Sequence, residues 1–259
     1  MRLEKRVALI TGAARGIGRA IAFELSRAGA RIVIADLDRA AAEKTAEQIQ
    51  AETGLAAMGW QMDVTKYDQI EAVVGQTLKR FDKIDILVNN AAANAKNWVK
   101  DLPEKVWNRI IGTNLTGTFL CSKAVLPAMI ERNYGRIINI ASIAGKQGEA
   151  AGSAYCSSKF GVIGFTQCLA LEVAQNNILV NAVCPGPIQT ELGELGIRQD
   201  AELRGQDPDE FRQWFIDRTP FKRQGTCEQV AKMVLFIASD DCDFTTGAAF
   251  NVNGGIIMH

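Results

Sequence analysis

Residues 7–18 read VALITGAARGIG, and this stretch decides the fold of the chain. Its apolar start, 7–10, predicts a buried strand, and the amphipathic run 16–28 predicts the helix that follows. Glycines between a strand and a helix N-terminus allow backbone amides to approach a pyrophosphate. The loop therefore predicts a dinucleotide-binding site, and its candidate contacts are Gly12, Arg15, Gly16, Ile17 and Gly18.

Outward from this loop, strand and helix patterns alternate along the chain. Short apolar runs predict buried parallel strands at 6–11, 31–36, 55–62, 84–89, 136–141, 178–184 and 248–252. Amphipathic stretches predict helices at 16–28, 39–52, 66–81, 103–131, 154–175 and 227–238. The alternation predicts a three-layer α/β fold: a doubly wound, mostly parallel seven-stranded sheet with helices on both faces. Ligands of such sheets bind at the carboxyl ends of the strands.

One stretch, about 190–218, interrupts the alternation. It carries many charges, a turn at Asp207-Pro208 and the aromatic residues Phe211, Trp214 and Phe215, but no strand pattern. A solvated helical insertion and a lid over the substrate both fit this composition. Its position just after a strand end favours the lid. The chain contains no linker or repeat, and we therefore interpret residues 1–259 as one domain.

The composition narrows the class of partner. Lysine plus arginine and aspartate plus glutamate balance at 29 each, so we expect a small-molecule ligand and no nucleic acid. The N-terminus runs directly into the strand 7–10, which indicates no signal peptide, and no apolar run is long enough to span a membrane. Six cysteines without a C-x-x-C pair are typical of a reduced cytoplasmic protein.

The single histidine is the last residue, His259. A histidine-based metal site and a Ser-His-Asp triad are therefore excluded, and we expect no metal ion. Any acid and base chemistry must use other side chains.

Asp36 ends the second predicted strand, 24 residues after Gly12. At this spacing a carboxylate accepts hydrogen bonds from the adenosine ribose hydroxyls. A 2′-phosphate would meet the carboxylate at short range, with a repulsion of several kcal/mol. The sequence therefore predicts NAD as the cofactor, although Arg15 and Arg39 could soften the repulsion or simply be solvated.

Ser142, Tyr155 and Lys159 lie downstream of the phosphate loop and suggest a hydride-transfer site. Tyr155 and Lys159 are four residues apart, so they share one face of a helix. Lowering a tyrosine pKa from near 10 by about three units requires roughly 4 kcal/mol of phenolate stabilisation. One cation about 4 Å away at an effective dielectric near 20 supplies about that much. Each residue alone is structural in most proteins, but their joint spacing favours catalysis.

With these motifs the chain resembles the short-chain dehydrogenase/reductase family over nearly its whole length. The TGxxxGxG loop is at 11–18, an Asp-Val pair at Asp63-Val64, and an Asn-Asn-Ala turn at 89–91. The resemblance implies a Rossmann fold and a catalytic set of Asn114, Ser142, Tyr155 and Lys159. It adds these cofactor contacts: Asp63, Val64, Asn90, Ala91, Tyr155, Lys159, Pro185, Gly186, Ile188 and Thr190.

The resemblance also implies the reaction. Tyr155 takes a proton from a substrate hydroxyl while the carbon-bound hydrogen leaves as hydride to the nicotinamide, and reduction reverses these steps. Ser142 binds the substrate oxygen and stabilises its developing charge. Lys159 lowers the tyrosine pKa and binds the nicotinamide ribose, while Asn114 positions a water that relays protons.

Two positions depart from the family pattern. Ala92 stands where the family usually has glycine, which makes a positive φ costlier there. Asn253 stands where the family usually has aspartate in Val-Asp-Gly-Gly, so one charge is absent. Neither position belongs to the predicted proton chemistry.

The substrate end of the site is less well defined by sequence. Glu149, in the run Gly148-Glu149-Ala150, looks like the glutamate that polyol-oxidising members of the family place near the substrate, but it could equally cap a helix beginning near Ser153. Arg198 and Arg204 could bind an anionic group or lie in solvent. The candidate substrate contacts are Ser142, Asn94, Trp98, Gln147, Glu149, Gln189 and Trp214.

We therefore predict an NAD-dependent oxidoreductase of a secondary alcohol, resembling polyol and sugar dehydrogenases. The alternative within the family is a 3-oxoacyl-carrier-protein reductase or another ketone reductase, for which we expect NADPH and a basic docking face. A remote alternative is a non-catalytic dinucleotide-binding regulatory module on the same fold.

The family commonly forms homotetramers through two long helices, which here correspond to about 105–131 and 154–175. The resemblance therefore predicts a homotetramer. The apolar C-terminus, residues 256–259, is expected to bury at a neighbouring subunit.

Overall fold

Strands and helices alternate in the computed structural model, which describes residues 2–259. The strands are β1 (Val7–Thr11), β2 (Arg31–Asp36), β3 (Ala57–Gln61), β4 (Ile86–Asn89), β5 (Gly135–Ile140), β6 (Ile178–Pro185) and β7 (Ala249–Val252). The helices are α1 (Gly16–Arg27), α2 (Arg39–Thr53), α3 (Tyr67–Phe81), α4 (Glu104–Ile111), α5 (Gly117–Glu131), α6 (Ser153–Val173), α7 (Glu191–Arg204), α8 (Pro208–Asp217) and α9 (Cys227–Ala238). Within residues 2–259, no helix has both the length and the apolar character that crossing a membrane requires.

The seven strands form one sheet in the order β3-β2-β1-β4-β5-β6-β7, and every neighbouring pair is parallel. The chain winds outward in one direction through β2 and β3, then returns past β1 to β4 and continues to β7. This topology confirms the predicted doubly wound, three-layer α/β fold. The winding reverses between β1 and β4, and ligands of such sheets bind at this reversal, outside the strand ends.

Alternate residues of each central strand enter different cores. In β1, Ala8 and Ile10 pack beneath α1, α2 and α9, whereas Val7 and Leu9 pack beneath α3, α5 and α6. All five β1 residues are buried because helices cover both faces of the sheet. This explains why the strands appear in the sequence as continuous apolar runs.

The predicted helix 103–131 is divided by a π-helical turn at Gly112–Thr116. In this turn the amide of Gly117 bonds to the carbonyl of Gly112, five residues earlier. Gly117 also packs directly on Val64, whose Cγ2 would lie 2.8 Å from a Cβ at that position. Turns of this type often occur at functional sites, and this one contains Asn114.

The segment 190–218 is helical rather than irregular. Thr190 accepts a hydrogen bond from the Gly193 amide at 3.0 Å and so caps α7, while Asp207 caps α8 through the amides of Asp209 and Glu210. Phe211 stacks on Trp214 with ring centroids 5.3 Å apart. The segment therefore has a small apolar core of its own, formed by Ile197, Ala201 and Phe211.

The contact between β3 and α2 provides a test of packing in this fold. A Cβ at Gly59 would lie 2.4 Å from the Glu43 amide nitrogen and 2.5 Å from the Ala42 carbonyl carbon. We expect Gly59→Ala to lower the free energy of unfolding by about 1–3 kcal/mol, because α2 must move away from the strand. Chemical denaturation followed by circular dichroism measures the change.

Gly75→Ala is the matched control. Gly75 lies on the exposed side of α3 with no heavy atom within 4 Å of its would-be Cβ. Alanine there should stabilise the protein by about 0.5–1 kcal/mol, because it restricts the unfolded chain and favours helix. Equal effects of the two substitutions would contradict the close α2–β3 packing.

Candidate functional site

A single large cavity of about 970 Å³ opens at the carboxyl ends of the strands. The residues that follow β1, β2, β4, β5 and β6 all reach its wall, and α7 and α8 cover its other side. The predicted cofactor contacts on the wall are Gly12, Arg15, Gly16, Ile17, Asp36, Asp63, Val64, Asn90, Ala91, Tyr155, Lys159, Pro185, Gly186, Ile188 and Thr190. The topology therefore gathers these scattered positions at one site.

The phosphate loop passes unusually close to its neighbours. Gly12 and Gly16 have φ values of 61° and 56°, in the left-handed region that favours glycine. Gly18 lies beneath the loop rather than on the cavity wall, and a Cβ there would be 2.4 Å from the Gly12 carbonyl oxygen. Gly18 thus allows α1 to approach the loop, and the sequence prediction that it contacts the cofactor does not match its position.

The N-terminus of α1 suits a dinucleotide phosphate. Arg15 occupies the N-cap position, and its side chain makes no capping hydrogen bond. The amides of the first helical turn are therefore free of a side-chain acceptor, and the positive end of the helix dipole faces the cavity region lined by Gly16 and Ile17. These residues fit a pyrophosphate.

The Asp36 carboxylate lies on the wall at the end of β2. It accepts hydrogen bonds from the Ala14 amide at 3.0 Å and the Asp38 amide at 3.2 Å. The two nearby arginines are engaged elsewhere: Arg15 pairs with Glu191 at 3.1 Å and Arg39 with Glu43 at 2.8 Å. Neither ion pair involves Asp36, so the wall is acidic at this point.

Ser142, Tyr155 and Lys159 meet on the cavity wall between β5 and α6. Ser142 follows β5 and accepts a hydrogen bond from the Ala144 amide at 3.1 Å. The turn after it packs directly on α6, since a Cβ at Gly145 would lie 2.7 Å from the Lys159 carbonyl oxygen. Lys159 Nζ lies 5.6 Å from the centroid of the Tyr155 ring, as expected for residues four apart on one helix.

The protonation of this group differs from the sequence prediction. Burial raises the pKa of Tyr155 to about 12, and the hydrogen bond with Ser142 opposes that rise only in part. Burial also lowers the pKa of Lys159 to about 8, and its Nζ donates to the Ile140 carbonyl at 2.6 Å. The expected lowering of the tyrosine pKa by Lys159 is not found, because burial acts in the opposite direction. The raised pKa keeps the Tyr155 hydroxyl protonated at neutral pH.

Asn114 is buried and lies behind the cavity wall. Its Oδ1 accepts from the Ala93 amide at 2.7 Å, and its Nδ2 donates to the Ala93 carbonyl at 3.0 Å and to Ser158 Oγ at 2.9 Å. The side chain thus ties the turn after β4 to α6. The water-relay role of Asn114 stays a prediction.

The two departures from the family pattern have structural accounts. Ala92 lies on the cavity wall with a φ outside the left-handed region, so its Cβ causes no backbone strain. Asn253 donates to the Ile257 carbonyl at 2.8 Å and accepts from the Gly255 amide at 2.9 Å. An aspartate could not donate to Ile257. Asn253 therefore holds the C-terminal segment in place.

That segment closes part of the site within the same chain. Ile256 and Ile257 line the cavity, and Ile257 is only 7% exposed. The expectation that residues 256–259 bury at a neighbouring subunit is therefore wrong for Ile257, whereas Met258 remains 84% exposed. This part of the cavity wall could not be predicted, because no sequence pattern marks the hydrogen bond from Asn253 to Ile257.

At the substrate end, Asn94, Gln147, Glu149, Gln189 and Trp214 all line the cavity. Trp98, the remaining candidate, does not belong to the wall, and its ring instead lies 5.9 Å beneath the Arg204 guanidinium. The sequence prediction for Trp98 does not match its position.

The alternative left open for Glu149 is decided. Glu149 is not a helix cap, because Gly152 caps α6 without a side-chain bond and the Glu149 carboxylate pairs with Lys96 at 2.8 Å. Arg204 lies on the cavity wall and donates through Nε to Asp200 Oδ1 at 2.6 Å. Lys96 and Asp200 line the cavity and were missed, because their partners are far away in sequence.

Comparison with known proteins agrees with this geometry. The family model described as short chain dehydrogenase matches residues 6–200. The chain is 40% identical to the 3-oxoacyl-[acyl-carrier-protein] reductase FabG of Haemophilus influenzae over 99% of its own length and 100% of the relative's. It is 38% identical to FabG of Escherichia coli over the full length of both.

Two solved structures share the fold over almost the whole chain. NAD+-bound xylitol dehydrogenase superposes with a TM-score of 0.95 at 35% identity, covering 98% of this chain and 100% of the other. Levodione reductase superposes with a TM-score of 0.93 at 31% identity, covering 98% of each. The chain therefore belongs to the short-chain dehydrogenase family. It is an oxidoreductase that uses a nicotinamide dinucleotide to act on alcohol (CH–OH) or keto groups.

The hydrogen bond from Asn253 to Ile257 can be tested directly. Asn253→Asp has the same shape but cannot donate, so it should lower the free energy of unfolding by about 1–3 kcal/mol and loosen the wall formed by Ile256 and Ile257. We expect a higher KM for the substrate with little change in dinucleotide Kd. Met258→Ala, at an exposed tail position, is the control. An unchanged KM and an unchanged thermal midpoint would contradict this role.

Proposed function

We propose that the protein is an NAD-dependent oxidoreductase that interconverts a small secondary alcohol and its ketone, with a polyol or sugar-like compound as substrate. The observation that carries the cofactor assignment is the Asp36 carboxylate on the cavity wall beside the phosphate loop. The cofactor region around it is built from glycine and backbone amides, as described above.

The charge at Asp36 disfavours NADP. A 2′-phosphate carries close to two negative charges, and one unit charge about 4 Å from a carboxylate at an effective dielectric of 20 costs about 4 kcal/mol. Arg15 and Arg39 are paired with other carboxylates and do not offset this cost. The solved xylitol dehydrogenase with bound NAD+ is consistent with the same choice.

The chemistry follows from Ser142 and Tyr155. Bound at the wall, the nicotinamide would accept or supply hydride at the substrate carbon. In the reducing direction, the protonated Tyr155 hydroxyl donates its proton to the carbonyl oxygen while Ser142 hydrogen-bonds that oxygen. In the oxidising direction the Tyr155 hydroxyl would first release its own proton to solvent, and the phenolate oxygen would then take the hydroxyl proton of the substrate. Lys159 would contact the nicotinamide ribose from α6, next to Tyr155.

The polar wall at the substrate end supports a hydroxyl-rich substrate. Asn94, Gln147 and Glu149 line this end. Carboxylate and amide oxygens accept hydrogen bonds from hydroxyl groups, so this composition suits a substrate with several hydroxyls.

A second candidate, 3-oxoacyl-carrier-protein reductase, is favoured by the relatives in Haemophilus influenzae and Escherichia coli, which align over their full length. The two candidates share the reaction but differ in the expected cofactor and in the size of the substrate. A non-catalytic regulatory module remains a remote third candidate. Wild-type protein that binds NADH tightly and yet turns over no substrate in a broad alcohol and ketone panel would favour it.

The exposed apolar residues support assembly into a homotetramer. Phe119 and Phe160 are 44% and 46% exposed on α5 and α6, and Leu171 is 84% exposed on α6. Phe244 is fully exposed and Phe236 on α9 is 38% exposed. Large apolar side chains exposed on several elements suit burial at subunit interfaces. We further propose a cytoplasmic location, since all six cysteines are free.

The cofactor preference can be measured by titrating the protein with NADH and NADPH. We expect NADH to bind at least about a hundredfold more tightly, because the 2′-phosphate meets Asp36. Asp36→Asn should reduce this ratio mainly by improving NADPH binding. Asp38→Asn, which neutralises a carboxylate two residues away outside the cavity wall, should leave it unchanged. Tighter NADPH binding by the wild type would overturn the NAD assignment and favour the acyl-carrier-protein reductase.

Tyr155→Phe tests the proton transfer. The phenyl ring preserves the packing beside Lys159 but removes the hydroxyl, so kcat should fall by about 10²–10⁴-fold while NADH binding is retained. NADH absorbance over a panel of polyols, sugars and 2-ketones gives the rates. Tyr134→Phe, at a surface tyrosine, serves as control. Full activity in the Tyr155 variant would exclude this residue as the acid.

A further inference from the structure

A cluster of four charged side chains lies in the wall of the substrate cavity. Lys96 Nζ is 2.8 Å from Glu149 Oε2 and 3.4 Å from Asp200 Oδ2, and Arg204 Nε is 2.6 Å from Asp200 Oδ1. All four residues line the cavity. Lys96 is in the segment after β4, Glu149 is just before α6, and Asp200 and Arg204 belong to α7. The cluster therefore joins three separate parts of the chain.

Lys96 is the central and most buried member of the cluster. Its side chain is 8% exposed, compared with 29% for Glu149 and 11% for Asp200. Burial alone would lower the pKa of Lys96, but Glu149 and then Asp200 raise it above its ordinary value. The ammonium therefore stays charged, and each carboxylate keeps a compensating cation. Removing that cation would leave the Glu149 carboxylate without a partner in a partly buried site, while Asp200 would keep Arg204.

Backbone contacts strengthen the same connections. The Lys96 amide donates to Gln199 Oε1 on α7 at 3.1 Å, and the Asn97 amide donates to the Ala151 carbonyl at 2.9 Å. Residues 96–97 are thus bonded both to the lid helix α7 and to the loop that carries Glu149. This segment and its lysine therefore link the lid to the catalytic half of the site.

We propose that Lys96 is a positioning residue that fixes Glu149 and the lid helix α7 together, and thereby sets specificity for uncharged substrates with adjacent hydroxyl groups. This inference rests on the proposed alcohol dehydrogenase function. With Oε2 held by Lys96, the carboxylate keeps Oε1 as an acceptor on the cavity wall. A carboxylate oxygen has two lone-pair sites and can accept from both hydroxyls of a diol.

The charge balance of the cluster argues against an anionic substrate at this end. Lys96 and Arg204 carry two positive charges, and Glu149 and Asp200 carry two negative ones. The cluster has no net charge, so a phosphate or carboxylate group would gain no attraction from it and would meet Glu149 at short range. The cluster therefore favours neutral, hydrogen-bond-donating groups.

The test compares Lys96→Met with Lys100→Met, the same substitution at an 82%-exposed lysine four residues away. Two alcohols that differ by one hydroxyl, 2,3-butanediol and 2-butanol, are oxidised with NAD, and NADH binding is titrated separately. We expect Lys96→Met to raise KM for the diol at least about tenfold while KM for 2-butanol and the NADH Kd change less than about threefold. Lys100→Met should match the wild type. Equal changes for both alcohols, or none, would overturn the specificity role.

Lid fixation is measured without turnover. Trypsin is added to the NADH-bound protein, and cleavage at Arg198, Arg204, Arg212 and Arg218 in the lid is followed by mass spectrometry. Lys96→Met should accelerate these cuts relative to Lys100→Met and wild type. Unchanged lid cleavage would refute the coupling to α7. If the wild type binds NADH but oxidises neither alcohol, the proposed function fails, while the cleavage result still decides the lid coupling.

A further variant keeps the test decisive if Lys96→Met folds poorly. Lys96→Met combined with Glu149→Gln removes both charges of one ion pair, leaves the Asp200–Arg204 pair intact and should restore the thermal midpoint. It should not restore the discrimination between the two alcohols, because the oriented carboxylate is absent. A double variant that prefers the diol as strongly as the wild type would refute the proposal.

Discussion

The close approach of the phosphate loop to the turn after β4 is the constraint on which the site depends. The Thr11 hydroxyl accepts from the amides of Asn90 and Ala91, each at 3.0 Å. The Asn90 side chain returns two hydrogen bonds to the carbonyls of Thr11 and Gly12. Gly12 has no room for a Cβ against Ala91. Contacts within the protein therefore hold the phosphate loop in place. They join the ends of β1 and β4, between which the winding direction changes and the cavity opens.

A second connection carries this rigidity to the catalytic residues. Asn114 lies in the π-helical turn and forms hydrogen bonds with both the amide and the carbonyl of Ala93. It also donates to Ser158, which lies between Tyr155 and Lys159 on α6. Gly145 allows the turn after Ser142 to pack on the backbone of α6. The cofactor half and the proton-transfer half of the cavity are thus joined by buried hydrogen bonds, which tolerate little displacement.

The substrate end is built by a different kind of interaction. Here ion pairs between distant segments, centred on Lys96, attach α7 to the loop that carries Glu149. Elsewhere the cavity is lined by Ile257, which is held by the hydrogen bond from Asn253. The cavity therefore combines charged, polar and apolar lining groups.

The sequence by itself determined the doubly wound fold, the phosphate loop and the positions of Ser142, Tyr155 and Lys159, because each depends on local periodicity or short spacing. It also located Asp36, whose role depends only on its place at a strand end. Tertiary structure alone decided the rest. Burial acts against the expected lowering of the Tyr155 pKa. The close approach of α1 to the phosphate loop placed Gly18 beneath that loop, away from the cavity. The Trp98 ring lies against Arg204 and not in the cavity wall. Lys96 and Asp200 belong to the cavity wall because of ion pairs between segments more than 50 residues apart. Ile257 belongs to it because the C-terminal segment is held by Asn253, and no sequence pattern marks that contact. Desolvation and long-range pairing depend on which segments meet, and that is settled only when the chain is folded.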